Sequence, residues 1–144
     1  MKQTFPPYPL AFALLLTATG VHAETARLVV HLKDVREATG NLRVSLYRDP
    51  ETFRKEDRAL KVIVIPAAKG ESRVTFDGIE PGKYALMAYH DENGDGKLNL
   101  RLGMFPTEGY ALSNNPKVMG PPKFADSAFD VAAPEASSSL VIAY

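Results

Sequence analysis

The chain has no cysteine, no net charge, few histidines and one long apolar run, and each shortage removes a class of explanation. Without cysteine there are no disulfides, no thiolate metal ligands and no thiol for bacterial lipid attachment. Lysine plus arginine and aspartate plus glutamate stand at 17 each, and the basic residues are scattered. That pattern excludes a nucleic-acid stripe and a polybasic membrane patch. Beyond the N-terminal segment only His31 and His90 remain, so a zinc or copper centre would have to fill its shell with carboxylates. No Gly-x-Ser-x-Gly elbow marks a hydrolase nucleophile, and no internal repeat is visible.

The single long apolar run, Leu10 to Ala18, follows Lys2 and precedes Val21-His22-Ala23. It is roughly half the ~20 residues that a membrane-spanning helix needs, and Ala23 supplies the small residue of a cleavage site. Residues 1–23 are therefore expected to be a secretory signal peptide. Residues 24–144 then form one exported domain, periplasmic or extracellular, with no stable membrane anchor after cleavage and no nucleic-acid partner.

Within that domain the apolar residues alternate at the period of half-buried strands. Arg27–Leu32, Leu42–Tyr47, Lys61–Pro66, Ser72–Phe76 and Lys83–His90 read as strands, with Ser138–Tyr144 closing the chain. The Thr39-Gly40-Asn41 turn suggests that the first two pair as a hairpin. Lys83–His90 is apolar on both faces, as the centre of a sheet requires. Asp49-Pro50 offers a cap and a first-turn proline for a short helical insertion over Glu51–Leu60. Gly103–Lys123 has no periodicity and reads as a long ordered loop, the kind that often carries function. Phe124–Val131 is expected to hold one more short strand. The fold class is all-β, a single antiparallel β-sandwich of about seven strands.

The densest chemistry lies in HDENGDGKLN, His90 to Asn99. Asp91, Asn93, Asp95 and Asn99 fall at the first, third, fifth and ninth places, with the Lys97 carbonyl at the seventh and Gly96 at the sixth. This is the ligand order of a calcium loop. The twelfth place, which should hold a bidentate glutamate, is Leu102, so a further ligand must come from elsewhere. Glu108, in the long loop, is the candidate. The alternative needs no ion: Asn93-Gly94 and Asp95-Gly96 are turn dipeptides whose side chains satisfy local backbone groups.

FDGIEPGKYALMAYHDENGDGKLN, GMFPTEGYALSNN and PPKFADSAFDV together resemble exported bacterial proteins grouped as domain of unknown function 2141. The resemblance spans roughly Leu28 to Tyr144. It implies a prealbumin-like or immunoglobulin-like sandwich, an envelope or extracellular location and no catalytic precedent. Within PGKYAL, Tyr84 is expected to bury its ring and bond backbone through its hydroxyl.

Tyr110, Ser113, Asn114 and Asn115 form a second candidate set, able to meet a polar ligand such as a glycan or to hold the long loop in one shape. The expected role is an exported binding or structural module, more a non-enzyme than an enzyme, with calcium as the one cofactor in view. Its partner would be an envelope or extracellular protein or a glycan. The alternative is an envelope hydrolase or sugar-binding protein using the Asp91 and Glu108 region. A third reading is an assembly subunit that offers an open sheet edge, with Ser138–Tyr144 as the candidate.

Overall fold

The computed structural model describes residues 24–117 and 119–144. The expected signal peptide, residues 1–23, lies outside the described residues. The strands are β1 (Ala26–Val35), β2 (Asn41–Tyr47), β3 (Lys61–Pro66), β4 (Gly70–Ile79), β5 (Gly82–Asp91), β6 (Leu100–Arg101), β7 (Phe105–Pro106), β8 (Tyr110–Leu112), β9 (Phe129–Val131) and β10 (Glu135–Val141). One short helix, α1 (Phe124–Ser127), precedes β9.

The chain is all-β. One sheet runs β10-β1-β4, and the other runs β3-β2-β5-β8 with β9 also on β5. Alternation decides which side chains meet between them. Leu28, Val30 and Leu32 of β1, Val74 and Phe76 of β4 and Leu140 of β10 join Leu42, Val44 and Leu46 of β2 and Tyr84, Leu86 and Ala88 of β5 in one buried cluster. β5 is central to its sheet, in keeping with its two apolar faces. Its outer face is covered as well: Tyr47, Ala85 and Leu112 bury Phe53 of the 49–58 segment, whose ring meets Tyr47 and Phe124 edge-on.

Three expectations are corrected. β1 and β2 do not form a hairpin, because β1 lies between β4 and β10 while β2 lies between β3 and β5. The Thr39-Gly40-Asn41 turn serves a crossover between sheets. Nor is the fold purely antiparallel, since β1 and β10 run parallel from Arg27 opposite Glu135 to Lys33 opposite Val141. The Glu51–Leu60 helix shrinks to a 3-10 turn at Glu56–Arg58. Asp49 does cap the Glu51 N–H at 2.8 Å, but Arg54 at φ 68° turns the chain out of the helix.

The Tyr84 expectation holds in full, with the ring 1 % exposed and the hydroxyl donating to the Glu80 carbonyl at 2.7 Å. This is a tyrosine corner, which pins the entry of β5. Among the described residues no helix is long and apolar enough to cross a membrane.

Candidate functional site: a braced acidic loop

β5 ends at Asp91, and the chain then turns through Glu92–Asn99 before the β6–β7 hairpin. Asp91 is the inner post of this turn. Its carboxylate is 1 % exposed and accepts the Asp95 N–H at 3.0 Å and the Gly96 N–H at 2.9 Å. Glu108, 6 % exposed, is the outer post: Oε1 accepts the Glu92 N–H and Oε2 the Asn99 N–H, both at 3.0 Å. From the sheet below, the Tyr89 hydroxyl donates to the Gly96 carbonyl at 3.0 Å. The loop is thus tied at both ends and in its middle.

Glu108 does fold back over the loop as the sequence suggests, but it meets amide donors there. Each of the two buried carboxylates takes two backbone N–H groups, whose dipoles replace the hydration that burial removes. Asp95 sits outside, where Asn99 Nδ2 donates to it at 2.9 Å, the Lys97 N–H at 2.9 Å and Asn93 Nδ2 at 3.3 Å. The Asn99 amide leads in holding the Asp95 carboxyl below its usual range. Asn93 Nδ2 also reaches Asn99 Oδ1 at 3.1 Å, so amide N–H groups occupy the space among these oxygens. Among the described residues no group of three or more His, Asp or Glu side chains is arranged to hold a metal ion.

His90 is fully buried beside the loop. Its Nε2 lies 2.7 Å from the Thr39 carbonyl, which only accepts, so Nε2 carries a proton. Nδ1 lies 2.7 Å from the Tyr144 hydroxyl, and that hydroxyl accepts the Arg36 N–H at 2.9 Å. The chain of donors runs from Arg36 through Tyr144 to His90 and on to Thr39. His31 stands apart in β1, bonded to Glu71 at 2.9 Å.

The second candidate set is turned to the interior and to backbone. Ser113 is fully buried, with Oγ accepting the Leu86 N–H at 2.9 Å and donating to the Ser127 carbonyl. Asn114 Nδ2 donates to the Ala128 carbonyl at 2.8 Å. Asn115 bridges β10, donating to the Ser139 carbonyl at 2.9 Å and accepting the Val141 N–H at 2.7 Å. Tyr110 exchanges two 2.9 Å backbone bonds with Ala143 and leans on the outer aromatic cluster.

A family model matches residues 30–139, described as "Uncharacterized protein conserved in bacteria (DUF2141)". The chain belongs to this family. No curated protein and no solved structure matches it.

Several positions around the site of this DUF2141 protein escape sequence reasoning. Tyr144, Thr39 and Arg36 are far apart in the chain yet enclose His90. Gly40 and Gly109 are set by close approach: a Cβ on Gly40 would lie 2.0 Å from the Asp91 carbonyl, and one on Gly109 2.3 Å from the Tyr144 ring. Surface hollows occur elsewhere, one lined by Arg27, Asp77 and Pro134 and one by Pro50, Phe53, Pro122 and Phe124. Neither touches Asp91 or Glu108.

Above the braced loop stands the β6–β7 hairpin. Leu100, Leu102, Met104 and Phe105 are all exposed, Leu102 to 80 %. Leu102 and Gly103 have successive positive φ values of 55° and 68°, a turn that asparagine and glycine fill best. The tip thus places a large apolar residue where the backbone disfavours one.

Proposed function

We propose that this protein is an exported, non-catalytic binding module whose contact surface is the β6–β7 hairpin, held in place by the Asp91 and Glu108 brace. The observation that carries this reading is the exposed apolar group Leu100, Leu102, Met104 and Phe105, mounted on a loop whose buried carboxylates are both spent on backbone N–H groups. A cluster of this kind on a soluble surface marks contact with a partner. The partner is an envelope or extracellular protein or glycan. The acids, Ser113 and His90 all have internal partners, which speaks against their use as general acid, base or nucleophile.

Co-sedimentation with isolated envelope material tests this. Leu102→Asp with Phe105→Asp alters two exposed side chains and should leave the fold intact. Retention of the natural chain and loss of the variant are expected. Equal recovery of both would overturn the reading.

A second reading keeps calcium. Gly96, at the sixth place counted from Asp91, is left-handed at φ 74°, where a calcium loop uses glycine for its sharp turn. An ion would have to displace the Asn93 amide from Asp95 and Asn99 and draw on Asp91, the Lys97 carbonyl and Glu108. Thermal melting in EGTA and then in calcium separates the two. A rise of several degrees with calcium, lost in Asp95→Asn, establishes the ion.

A further inference from the structure

The edges of the two sheets are treated differently by the chain. Along β10 the Asn115 amide occupies the Ser139 carbonyl and the Val141 N–H, standing in for a neighbouring strand. The outer side of β8 is taken at Tyr110 by Ala143. β4 carries Glu71, Arg73 and Asp77, and its ladder with β1 is interrupted by two register shifts. Charges and bulges are how natural sheets discourage pairing with another chain.

β3 keeps such devices to its ends, with Lys61 and the extra bond from the Leu60 N–H to the Leu46 carbonyl at one and Pro66 at the other, and its middle, Val62–Ile65, carries none. It ends the order β3-β2-β5-β8, and its run Lys61-Val62-Ile63-Val64-Ile65-Pro66 is β-branched throughout its middle. The bond from the Ala67 N–H to the Gly40 carbonyl, 3.1 Å, marks Gly40 and Ala67 as a hydrogen-bonded pair, and such pairs recur at every second residue of an antiparallel ladder. Ile65, Ile63 and Lys61, opposite Leu42, Val44 and Leu46, therefore turn their backbone groups to β2. The opposite side of β2 agrees: the Ser113 N–H bonds the Leu86 carbonyl and the His90 N–H the Gly109 carbonyl. Even-numbered residues of β5 thus face β8, and its odd-numbered residues face β2. Val62 and Val64 must then point their N–H and C=O groups away from the sheet. Their side chains are 38 % and 44 % exposed.

We infer that β3 is the self-association edge of this protein, pairing antiparallel with β3 of a second copy about a two-fold axis through Ile63. The occupant follows from the strand itself. Val62-Ile63-Val64 reads the same in both directions, so Val62 of each copy meets Val64 of the other. Both pairs are hydrogen-bonded, giving four backbone bonds. Ile63 meets its own mate as the close pair between them. Pro66, which has no N–H, limits the ladder at either end. The Ile63 and Ile65 side chains, partly buried at the core margin, gain cover from their mates. The contact is isologous, and the other edges are blunted, so it closes at a dimer rather than growing into a fibre. One strand pair lies near or below the ~1,200 Å² of the smaller specific interfaces, so the dimer is reversible.

Sedimentation velocity on the purified protein, from about 10 µM to about 1 mM, should show monomer passing to dimer. Val62→Lys with Val64→Lys sets lysine against lysine in both pairs and should leave monomer at every concentration. Mixing it with a Val62→Glu, Val64→Glu chain should restore a dimer containing one of each. The absence of cysteine permits a second arm that does not depend on those variants folding. In the close pair the Cα atoms lie ~4.5 Å apart, within disulfide reach, so Ile63→Cys should cross-link to a dimer on mild oxidation. Val62→Cys faces Val64 of the partner copy and should not. A natural chain that stays monomeric at ~1 mM, a dimer that survives the paired lysines, or Val62→Cys cross-linking as readily as Ile63→Cys would each overturn the inference.

Discussion

Glu108 holds Asn99 by its backbone, Oε2 accepting the Asn99 N–H at 3.0 Å while Oε1 accepts that of Glu92 at the same distance. One side chain thereby closes both ends of the eight-residue turn Glu92–Asn99. Removing it leaves two N–H groups without their charged acceptor. Glu108→Ala is expected to cost about 2–4 kcal/mol, because hydrogen bonds to a charged group contribute ~1.5–3 kcal/mol each and water recovers part of the loss. Urea unfolding measures the cost. Hydrogen exchange at Glu92 and Asn99 should quicken before that of β5.

Leu102 gives a change of opposite sign. It is 80 % exposed at φ 55°, a conformation that costs an ordinary L-residue roughly 1–2 kcal/mol and that asparagine tolerates. Leu102→Asn should therefore stabilise the protein by about 0.5–1 kcal/mol in thermal melting, while removing one of the apolar side chains proposed to meet a partner. Stability gained together with envelope retention lost would show that the leucine is kept for contact.

The fold was legible wherever a local period decided it. The alternation in β2, β4 and β5 and the corner at Tyr84 follow from which side chains must be buried. The pairing of β1 was not legible, because its neighbours β4 and β10 are chosen by packing across the whole chain. The Thr39-Gly40-Asn41 turn, which suggests a hairpin, brings Gly40 against Asp91 instead. At the site, the spacing of Asp91, Asn93, Asp95 and Asn99 points to a knot of oxygens, with Glu108 as the group that would complete it. Spacing says that these oxygens need partners, and only three dimensions show amide N–H groups already in reach.

Asn115 is the clearest case of a side chain replacing a strand. With φ 46° it follows Asn114 at φ 66°, two left-handed residues in succession that asparagine accepts. Asn115→Ala leaves the Val141 N–H and Ser139 carbonyl to water and adds left-handed strain. A loss of about 1–2 kcal/mol is expected, read by denaturant midpoint. Exchange of the Val141 amide should rise most.

Alkaline pH probes the outer aromatic cluster. Burial disfavours the phenolate of Tyr47 and pushes its pKa up to about 12, against ~10 in an unfolded chain. Between those values the unfolded chain releases a proton that the folded chain keeps. Stability contributed by Tyr47 is complete below pH ~10 and is lost as pH rises toward 12. Urea midpoints from pH 9 to 12 should fall, and Tyr47→Phe should flatten part of the slope. Tyr89 and Tyr144, also raised chiefly by burial, keep the remainder.

Two glycines at the same end of the molecule should respond differently to alanine. A Cβ on Gly109 would meet Tyr144 Cε1 at 2.3 Å and Ile142 Cγ2 at 2.7 Å, both parts of side chains, and Tyr144 is 48 % exposed, with room to swing outward. Gly109→Ala should cost about 1–3 kcal/mol, and the swing would take the Tyr144 hydroxyl from His90 Nδ1, visible as a change in the His90 ring nitrogen shifts. Adding Tyr144→Ala should then cost less than it does alone, a coupling that a double-mutant cycle reads directly. On Gly40 the Cβ would lie 2.0 Å from the Asp91 carbonyl oxygen and 2.8 Å from the Glu92 Cα, at φ 70°. These are backbone atoms at the root of the braced loop, and no side chain can be trimmed to admit it. Gly40→Ala should therefore exceed Gly109→Ala in cost, show no relief from Tyr144→Ala, and loosen the Asp95 and Gly96 amides that Asp91 holds.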